Sequence, residues 1–392
     1  MRSESCDIFC NVVDNFGDIG VCWRLARQLS NEHGLDVRLW VDDLGSFGKL
    51  CPELDATLDA QHCCGVKVLR WTEGAFRSYP LPLAGEGLGE RGVADLVIEA
   101  FACKLPQSYV EAMAAREPKP VWVNLEYLSA EDWVEGCHKL PSPHPALPLT
   151  RYFFFPGFTE KTGGLLLERD LLMRCDAFQA DVAAQDRYWR SLGVPQRIAG
   201  ELRVSLFSYE NEAMETLLGV WEQGGQPVTC MLPEGRSLPQ VAAYFGQSAR
   251  NAGAVWERGQ LCVHVLPFVE QERYDELLWA CDVNFVRGED SCVRAQWAAR
   301  PFIWQIYPQH DRVHLVKLEA LLARYTAGLM PEAAQSVRDL WLAWNGGQDI
   351  AAAWTHFLAQ REVLTRHGAG WARRLGSNNL ALNLLDFCRQ IG

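Results

Sequence analysis

Short apolar runs recur along this chain, separated by segments whose apolar residues fall three and four apart. Asp7–Val13 is one such run, and Asp14–Gly20 reads as a turn. Val21–His33 then has helical spacing, with Leu25 and Leu29 on one face. Asp36–Val41 is again strand-like, so the chain opens on a βαβ unit. Further strand-like runs stand at Gly65–Trp71, Ala94–Phe101 and Pro120–Leu125, with a helical segment at Leu105–Arg116. Leu140–Gly164, rich in proline, glycine and aromatic residues, predicts an elaborate loop system. A second alternation begins at Glu201–Tyr209, with a helix from Glu210, then Pro227–Leu232 with a helix from Leu238. It continues with Leu261–Leu266 and a helix from Gln271, Asp282–Val286 and a helix from Ser291, and Pro301–Ile306. From His310 onward the pattern is helical and rich in tryptophan.

Two sets of alternating strands and helices predict an α/β protein of two doubly wound, Rossmann-like domains facing each other across a cleft. The 392 residues agree, at roughly 150 per domain. We place the N-terminal domain at 1–185, completed by a returning helix from 371–392, and the C-terminal domain at 186–370. Ligands in such folds sit at the carboxyl ends of the strands.

Composition narrows the partners. Lys and Arg number 37 against 49 Asp and Glu, a net charge of −12, with 48 % hydrophobic residues. Such a chain buries large cores and is not disordered. It offers no basic face for nucleic acid or for an anionic membrane, and no apolar run is long enough to span a bilayer. Met1–Asp7 carries charge where a secretory leader would turn hydrophobic. Most of the 14 cysteines lie in apolar segments and none form Cys-x-x-Cys, so the expectation is a cytoplasmic, reduced protein. No metal site is expected, His62-Cys63-Cys64 included.

Two strings imitate known motifs. Gly87-Leu88-Gly89-Glu90-Arg91-Gly92 matches the dinucleotide fingerprint, but Pro80 and Pro82 precede it and a strand follows it, which predicts a surface loop. His310-Asp311-Arg312-Val313-His314 resembles a zinc-peptidase helix; Asp is shorter than the usual Glu base and no third ligand follows, so a helix start is expected. Trp341, Trp344, Trp354 and Trp371 are read as packing residues.

Two loops carry candidate chemistry. Asp14-Asn15-Phe16-Gly17-Asp18-Ile19-Gly20 lies between the first strand and the first helix. Its glycines permit close approach to a ligand, and its two acids either serve a reaction or, with Asp18 as cap, only start the helix. Arg287-Gly288-Glu289-Asp290-Ser291 follows a strand of the second domain. Ser291 as cap, the N–H groups of the helix start and the Arg287 guanidinium would together hold a phosphate; an Arg287–Glu289 ion pair beside an ordinary cap is the plainer reading. Acids opposite a phosphate loop suit transfer from a nucleotide-activated group to a nucleophile. On these residues alone, a transferase or epimerase using another nucleotide sugar stays open, as does a binding protein without chemistry.

Longer matches identify a family. Asp14–Val21 followed by Trp23-Arg24-Leu25-Ala26-Arg27-Gln28-Leu29, and Arg287–Ser291 with Arg294-Ala295-Gln296, resemble the protein-arginine rhamnosyltransferases of elongation factor P, the EarP family. Trp40–Asp43, Asn124–Glu131, Leu140–Pro143, Pro156–Gly164 and Ile306–Gln309 extend the likeness through most of the chain. The resemblance implies an inverting GT-B glycosyltransferase that moves L-rhamnose from dTDP-β-L-rhamnose to one arginine of elongation factor P, helping ribosomes stalled at polyproline. It implies no cofactor or metal beyond that donor. Carried over by position, Asp18 is the general base, with Asp14 and Glu289 as further essential acids. Asn15, Phe16 and Gly17 would line the sugar, Tyr209, Phe268 and Gln271 the nucleotide, and Arg287, Gly288, Asp290 and Ser291 the diphosphate. Pro267-Phe268-Val269-Glu270-Gln271 departs from the family pattern, in which a proline precedes the Gln.

Overall fold

The first strand, β1 (Ser5–Cys10), is buried beyond Ser5 and carries a charge into the interior. Asp7 is fully buried and survives there because Arg38 meets both its carboxylate oxygens at 2.6 Å, with Trp40 Nε1 donating at 3.3 Å. Tyr109 also donates its hydroxyl hydrogen to Asp7. A buried carboxylate is tolerated only when it is paired and hydrogen-bonded in this way. The computed structural model describes residues 4–13, 16–72, 92–248, 252–308, 313–346 and 349–392. Asp14, Asn15, residues 87–91 of the glycine string and His310-Asp311-Arg312 therefore lie outside the described residues.

From β1 the chain runs through α1 (Gly17–Asn31), β2 (Asp36–Val41), α2 (Leu44–Leu50), β3 (Ala60–Cys63), β4 (Val66–Arg70) and β5 (Leu96–Ala100). It continues through α3 (Gln107–Ala115), β6 (Val121–Leu125), α4 (Trp133–Cys137), β7 (Pro141–Pro143) and β8 (Thr150–Phe154). Among the described residues these strands form one sheet ordered β3-β4-β2-β1-β5-β6-β8-β7. β3 and β7 are antiparallel at the edges, and the remaining strands pair parallel. Renumbered by chain order, the parallel strands read 3-2-1-4-5-6, the order of a dinucleotide-binding fold. The stretch read as an elaborate loop, Leu140–Gly164, thus holds β7 and β8; β8 finds its partner in β6, with Trp122 opposite Arg151 and Leu125 opposite Phe154. Phe9 stacks on Trp40 at 5.7 Å, and with Tyr109, Met113 and Trp122 these side chains form one buried cluster.

The second unit begins with α5 (Leu171–Ala180) and α6 (Val182–Ser191) and then alternates. Its elements are β9 (Leu202–Leu206), α7 (Met214–Gln223), β10 (Val228–Pro233), α8 (Leu238–Tyr244), β11 (Val255–Arg258) and β12 (Leu261–Leu266). α9 (Gln271–Ala280), β13 (Val283–Arg287), α10 (Gly288–Trp297) and β14 (Phe302–Gln305) complete the alternation. The helices α11 (Val313–Thr326), α12 (Pro331–Trp344), α13 (Ile350–Ala359) and α14 (Arg361–Leu375) follow. Among the described residues the sheet order is β11-β12-β10-β9-β13-β14, antiparallel only at β11, so the parallel strands read 3-2-1-4-5. Trp341, Trp344, Trp354 and Trp371 are all buried as packing residues. Trp344 and Trp354 lie against Phe285 of β13, and Trp341 donates to the Phe302 carbonyl at 2.8 Å.

Packing divides the chain into Met1–Arg169 with Leu375–Gly392, and Asp170–Arg374. The sequence division stood at 185/186; α5 packs on α9 and α10, which assigns 170–185 to the second unit. The last helix, α15 (Leu380–Ile391), returns to the first unit. Asn378 and Asn383 donate to the Thr159 and Gly163 carbonyls at 2.7 and 3.0 Å, and Phe387 meets Tyr152 of β8 at 5.5 Å. Gly164, at φ +80°, is required there, because a Cβ would stand 2.1 Å from the Asn378 carbonyl oxygen. Among the described residues no helix is long and apolar enough to cross a membrane.

Candidate active site

In each sheet the chain reverses direction of progress beside the first strand, and the connections that diverge there leave a crevice. In the first unit the diverging connections follow β1 and β5. The β1 connection leads to α1, whose N-cap is Phe16, a residue with no side-chain oxygen to offer the helix N–H groups. Gly17 is the first helical residue and Asp18 the second. Asp18 is 3 % exposed and does not cap the helix; its Oδ2 reaches back to accept the Val13 N–H at 2.9 Å. The positive end of α1 favours negative charge at this position. Below it, the Cys10 thiol is pushed well up by its hydrogen bond with Cys22, by burial and by the negative charge of Asp18. Lys49 of α2 lies over the Phe16 ring at 5.7 Å. Of the first-loop residues expected at the site, Phe16, Gly17 and Asp18 are thus together, and Asp14 and Asn15 are outside the described residues.

The β5 connection was not singled out by sequence. Phe101, Ala102 and Lys104 take left-handed backbone angles, φ +55°, +54° and +55°, without a glycine among them. Such angles cost of order 1–3 kcal/mol each and persist only where the surroundings impose them. Here Asn124 accepts the Ala102 N–H at 3.1 Å, buried Glu99 accepts the Lys104 N–H at 3.1 Å, and Phe101 stacks on Tyr127 at 4.5 Å. No residue type in Phe-Ala-Cys-Lys signals this conformation.

In the second unit the diverging connections follow β9 and β13. Arg287 ends β13 and is the N-cap of α10, 5 % exposed. Its guanidinium stands 4.6 Å from the Phe207 ring centroid and 4.5 Å from that of Tyr209. Gly288 holds φ +63°, which lets the helix start directly behind the strand. The helix therefore begins earlier than read from sequence, and Ser291 sits a turn inside it instead of capping it. The first-turn N–H groups, with Arg287 beside them, form a site for an anion. Glu289 and Asp290 lie in that same turn, half-buried.

The neighbouring elements hold this turn in place. Gln271, buried at the start of α9, donates to Asp290 at 3.4 Å. Arg294 of α10 meets both oxygens of Asp275 of α9 at 2.8 and 2.7 Å, both groups buried. Trp304 donates to the Gly288 carbonyl at 2.8 Å. Tyr209 is buried, and its backbone N–H is accepted by Gln305 Oε1 at 2.8 Å. Phe268 is half-buried on the connection from β12 to α9. Tyr274, packed edge-on against Phe207, has its hydroxyl pKa raised by burial. Phe207, Gln305 and Arg236, which lies over the Tyr209 ring at 5.8 Å, were not anticipated from sequence.

Chemically, the first unit offers a carboxylate at a helix start and the second an anion site walled by aromatic rings. Residues 6–389 match the model of a family described as elongation-factor P (EF-P) rhamnosyltransferase EarP. The chain is 50 % identical to a protein-arginine rhamnosyltransferase of Pseudomonas putida over 384 residues, 98 % of each chain. It is 48 % identical to that of Pseudomonas aeruginosa over the same share, and 38 % to one from Neisseria meningitidis serogroup B over 93 % of this chain and 90 % of that one. A solved structure concerned with EarP-mediated arginine glycosylation of translation elongation factor EF-P is similar at TM-score 0.68 and 35 % identity, over 98 % of this chain and 99 % of that one. MurG of Acinetobacter baumannii, at TM-score 0.50 and 12 % identity over 99 % of this chain and all of that one, shares the fold alone. These likenesses bear out the GT-B fold expected from sequence.

Proposed function

The chain belongs to the EarP family of protein-arginine rhamnosyltransferases and is a glycosyltransferase, and on that premise we propose the finer reaction. It moves L-rhamnose from dTDP-β-L-rhamnose to an arginine side chain of elongation factor P in the cytoplasm, with inversion, and so supports relief of ribosomes stalled at polyproline. The observation that carries this reading is Arg287, seated against Phe207 and Tyr209 where α10 begins. A nucleoside diphosphate needs what that place offers: fixed positive charge and N–H donors for the phosphates, and flat apolar surface beside them. The leaving diphosphate's charge is then met by protein groups, and the reaction as proposed requires no metal.

The acceptor sets the demand on the acids. A guanidinium has a pKa of roughly 12.5 or more, against about 3.9 for an ordinary Asp, so full proton transfer before attack is uphill by about 12 kcal/mol. Asp18 therefore takes the proton late, as the N–C bond forms and the nitrogen becomes acidic. Its hydrogen bond from Val13 and its place in the first turn of α1 support an oriented base. Asp14 and Glu289 complete the acidic set that holds and neutralises the guanidinium, and Asn15, Phe16 and Gly17 line the sugar. Tyr209 and Phe268 hold the nucleotide, with Gln271 nearby, and Arg287, Gly288, Asp290 and Ser291 hold the diphosphate. Inversion follows from attack on the face opposite the diphosphate. Incubation of the purified chain with dTDP-β-L-rhamnose and elongation factor P tests the reading by intact mass. One added deoxyhexose on an arginine is expected; no gain with folded acceptor and verified donor would sink it.

A further inference from the structure

Sheet order brings together residues that lie far apart in sequence. Along β12-β10-β9-β13 the carboxyl ends carry, in turn, Phe268, Arg236, Phe207 with Tyr209, and Arg287. Arg236 stands in the turn between β10 and α8, exposed, with its guanidinium 5.8 Å from the centroid of the Tyr209 ring. The same ring has Arg287 at 4.5 Å. One buried tyrosine thus carries two guanidinium groups, whose central carbons are at most about 10 Å apart because both are measured to one centroid. Among the described residues Arg236 has no carboxylate partner; Glu234, the nearest acid in the chain, accepts the Ala252 N–H at 2.9 Å. Two like charges on one ring repel, and a shared anion removes that cost.

We propose that Arg236 is a further donor-binding residue, the second cation for the nucleoside diphosphate. Resting on the donor read above, the nucleotide lies with its leaving phosphate at the start of α10 and its nucleoside toward Phe268. β9 and β10 are the strands between those two ends, so Arg236 meets the phosphate attached to the nucleoside while Arg287 and α10 hold the one that departs. Its exposure lets it approach from the solvent side, with Tyr209 as the surface it rests on.

The test compares dTDP, dTMP and thymidine on the full chain and on Arg236→Ala and Arg236→Lys. Calorimetry reads the nucleotides, and ligand-observed NMR reads the weaker nucleoside. Arg236→Ala is expected to weaken dTDP and dTMP alike by about five- to twentyfold, with thymidine unchanged and Arg236→Lys intermediate. In turnover the donor KM rises by a similar factor, with a smaller change in kcat. Unchanged dTDP affinity overturns the proposal, as does an equal loss for thymidine, since Arg236 would then only pack on Tyr209. A wild-type chain that binds UDP or GDP in place of dTDP fails the donor reading, and the Arg236 comparison then runs on that nucleotide against its nucleoside. Binding of no nucleoside diphosphate overturns both.

Discussion

Replacing Asp18 by Asn separates its chemistry from its place in the fold. Oδ2 of Asp18 accepts the Val13 N–H at 2.9 Å. An Asn carbonyl oxygen in the same rotamer keeps that bond, so the turn before α1 stays closed. What the protein loses is a negative charge in the first helical turn, worth about 0.3–1 kcal/mol. For a unit of this size a loss of that order lowers Tm by only about 1–4 °C. Catalysis loses much more, because an amide cannot take the proton from the guanidinium. Removing a positioned base costs about 10²–10⁴ in rate, or roughly 3–5.5 kcal/mol of barrier. The two figures are far enough apart to decide the matter. Single-turnover transfer to elongation factor P, followed by intact mass, should fall by at least a hundredfold in Asp18→Asn, while thermal unfolding moves by a few degrees and dTDP affinity holds. Retention of more than a tenth of the wild-type rate in Asp18→Asn would refute the assignment, as would a loss that only tracks the unfolded fraction.

Three further outcomes follow from the packing. Asp275→Asn should destabilise the second unit by about 3–5 kcal/mol by removing the negative charge that pairs with buried Arg294, and pairing Asp275→Leu with Arg294→Met should recover most of it; urea unfolding reads both, and a single-variant loss below about 1 kcal/mol would contradict the reasoning. Gly288→Ala should cost about 1–2 kcal/mol at φ +63° and weaken dTDP binding, by melting and calorimetry; an unchanged melt would show the backbone there to be free of that constraint. The His138 pKa is lowered to about 4 by burial, and its Nδ1 accepts the Phe155 N–H at 3.1 Å, which a protonated ring cannot do. The unfolded chain binds this proton near pH 6.5 and the folded chain only near pH 4, so stability is full above the first value and falls as pH drops between them. Allowing for partial exposure, the loss is about 1–2 kcal/mol. His138→Gln should flatten that slope in denaturant titrations at pH 4.5 and 7; an unaltered slope would refute it.

Much of the fold was legible because central strands of parallel sheets are buried on both faces. β2 and β12 are therefore mostly apolar, Asp36 and Arg38 in β2 and His264 in β12 excepted, and the bounds read from sequence match those observed. β8 was hidden for the opposite reason. Thr150–Phe154 is half-exposed and lies among prolines, and only its long-range pairing with β6 makes it a strand. The edge strands β3 and β11 are short and paired antiparallel, leaving little periodicity to read. At the site, the loops after β1 and β13 were visible because chemistry-bearing residues follow an apolar run there. Phe207, Arg236 and Gln305 were not, since Phe207 meets Arg287, and Arg236 and Gln305 meet Tyr209, through the order of strands in the sheet, which no local pattern encodes. The Ser291 cap failed because Gly288 allows a helix to begin at once, making a side-chain cap unnecessary.

The return of α15 to the first unit has a consequence for how the protein is made. That unit is discontinuous: Leu380, Leu384 and Phe387 belong to its interior but are translated only after the whole of the second unit. At roughly 5–20 residues per second, synthesis of the intervening unit takes about 10–40 seconds. Throughout that interval the face of β8 that awaits Phe387 is open to water and to other nascent chains. The second unit, continuous from Asp170 to Arg374, can fold first although it is encoded later. A stop codon soon after Arg374 would therefore damage the unit begun first, leaving the unit encoded between its two parts intact.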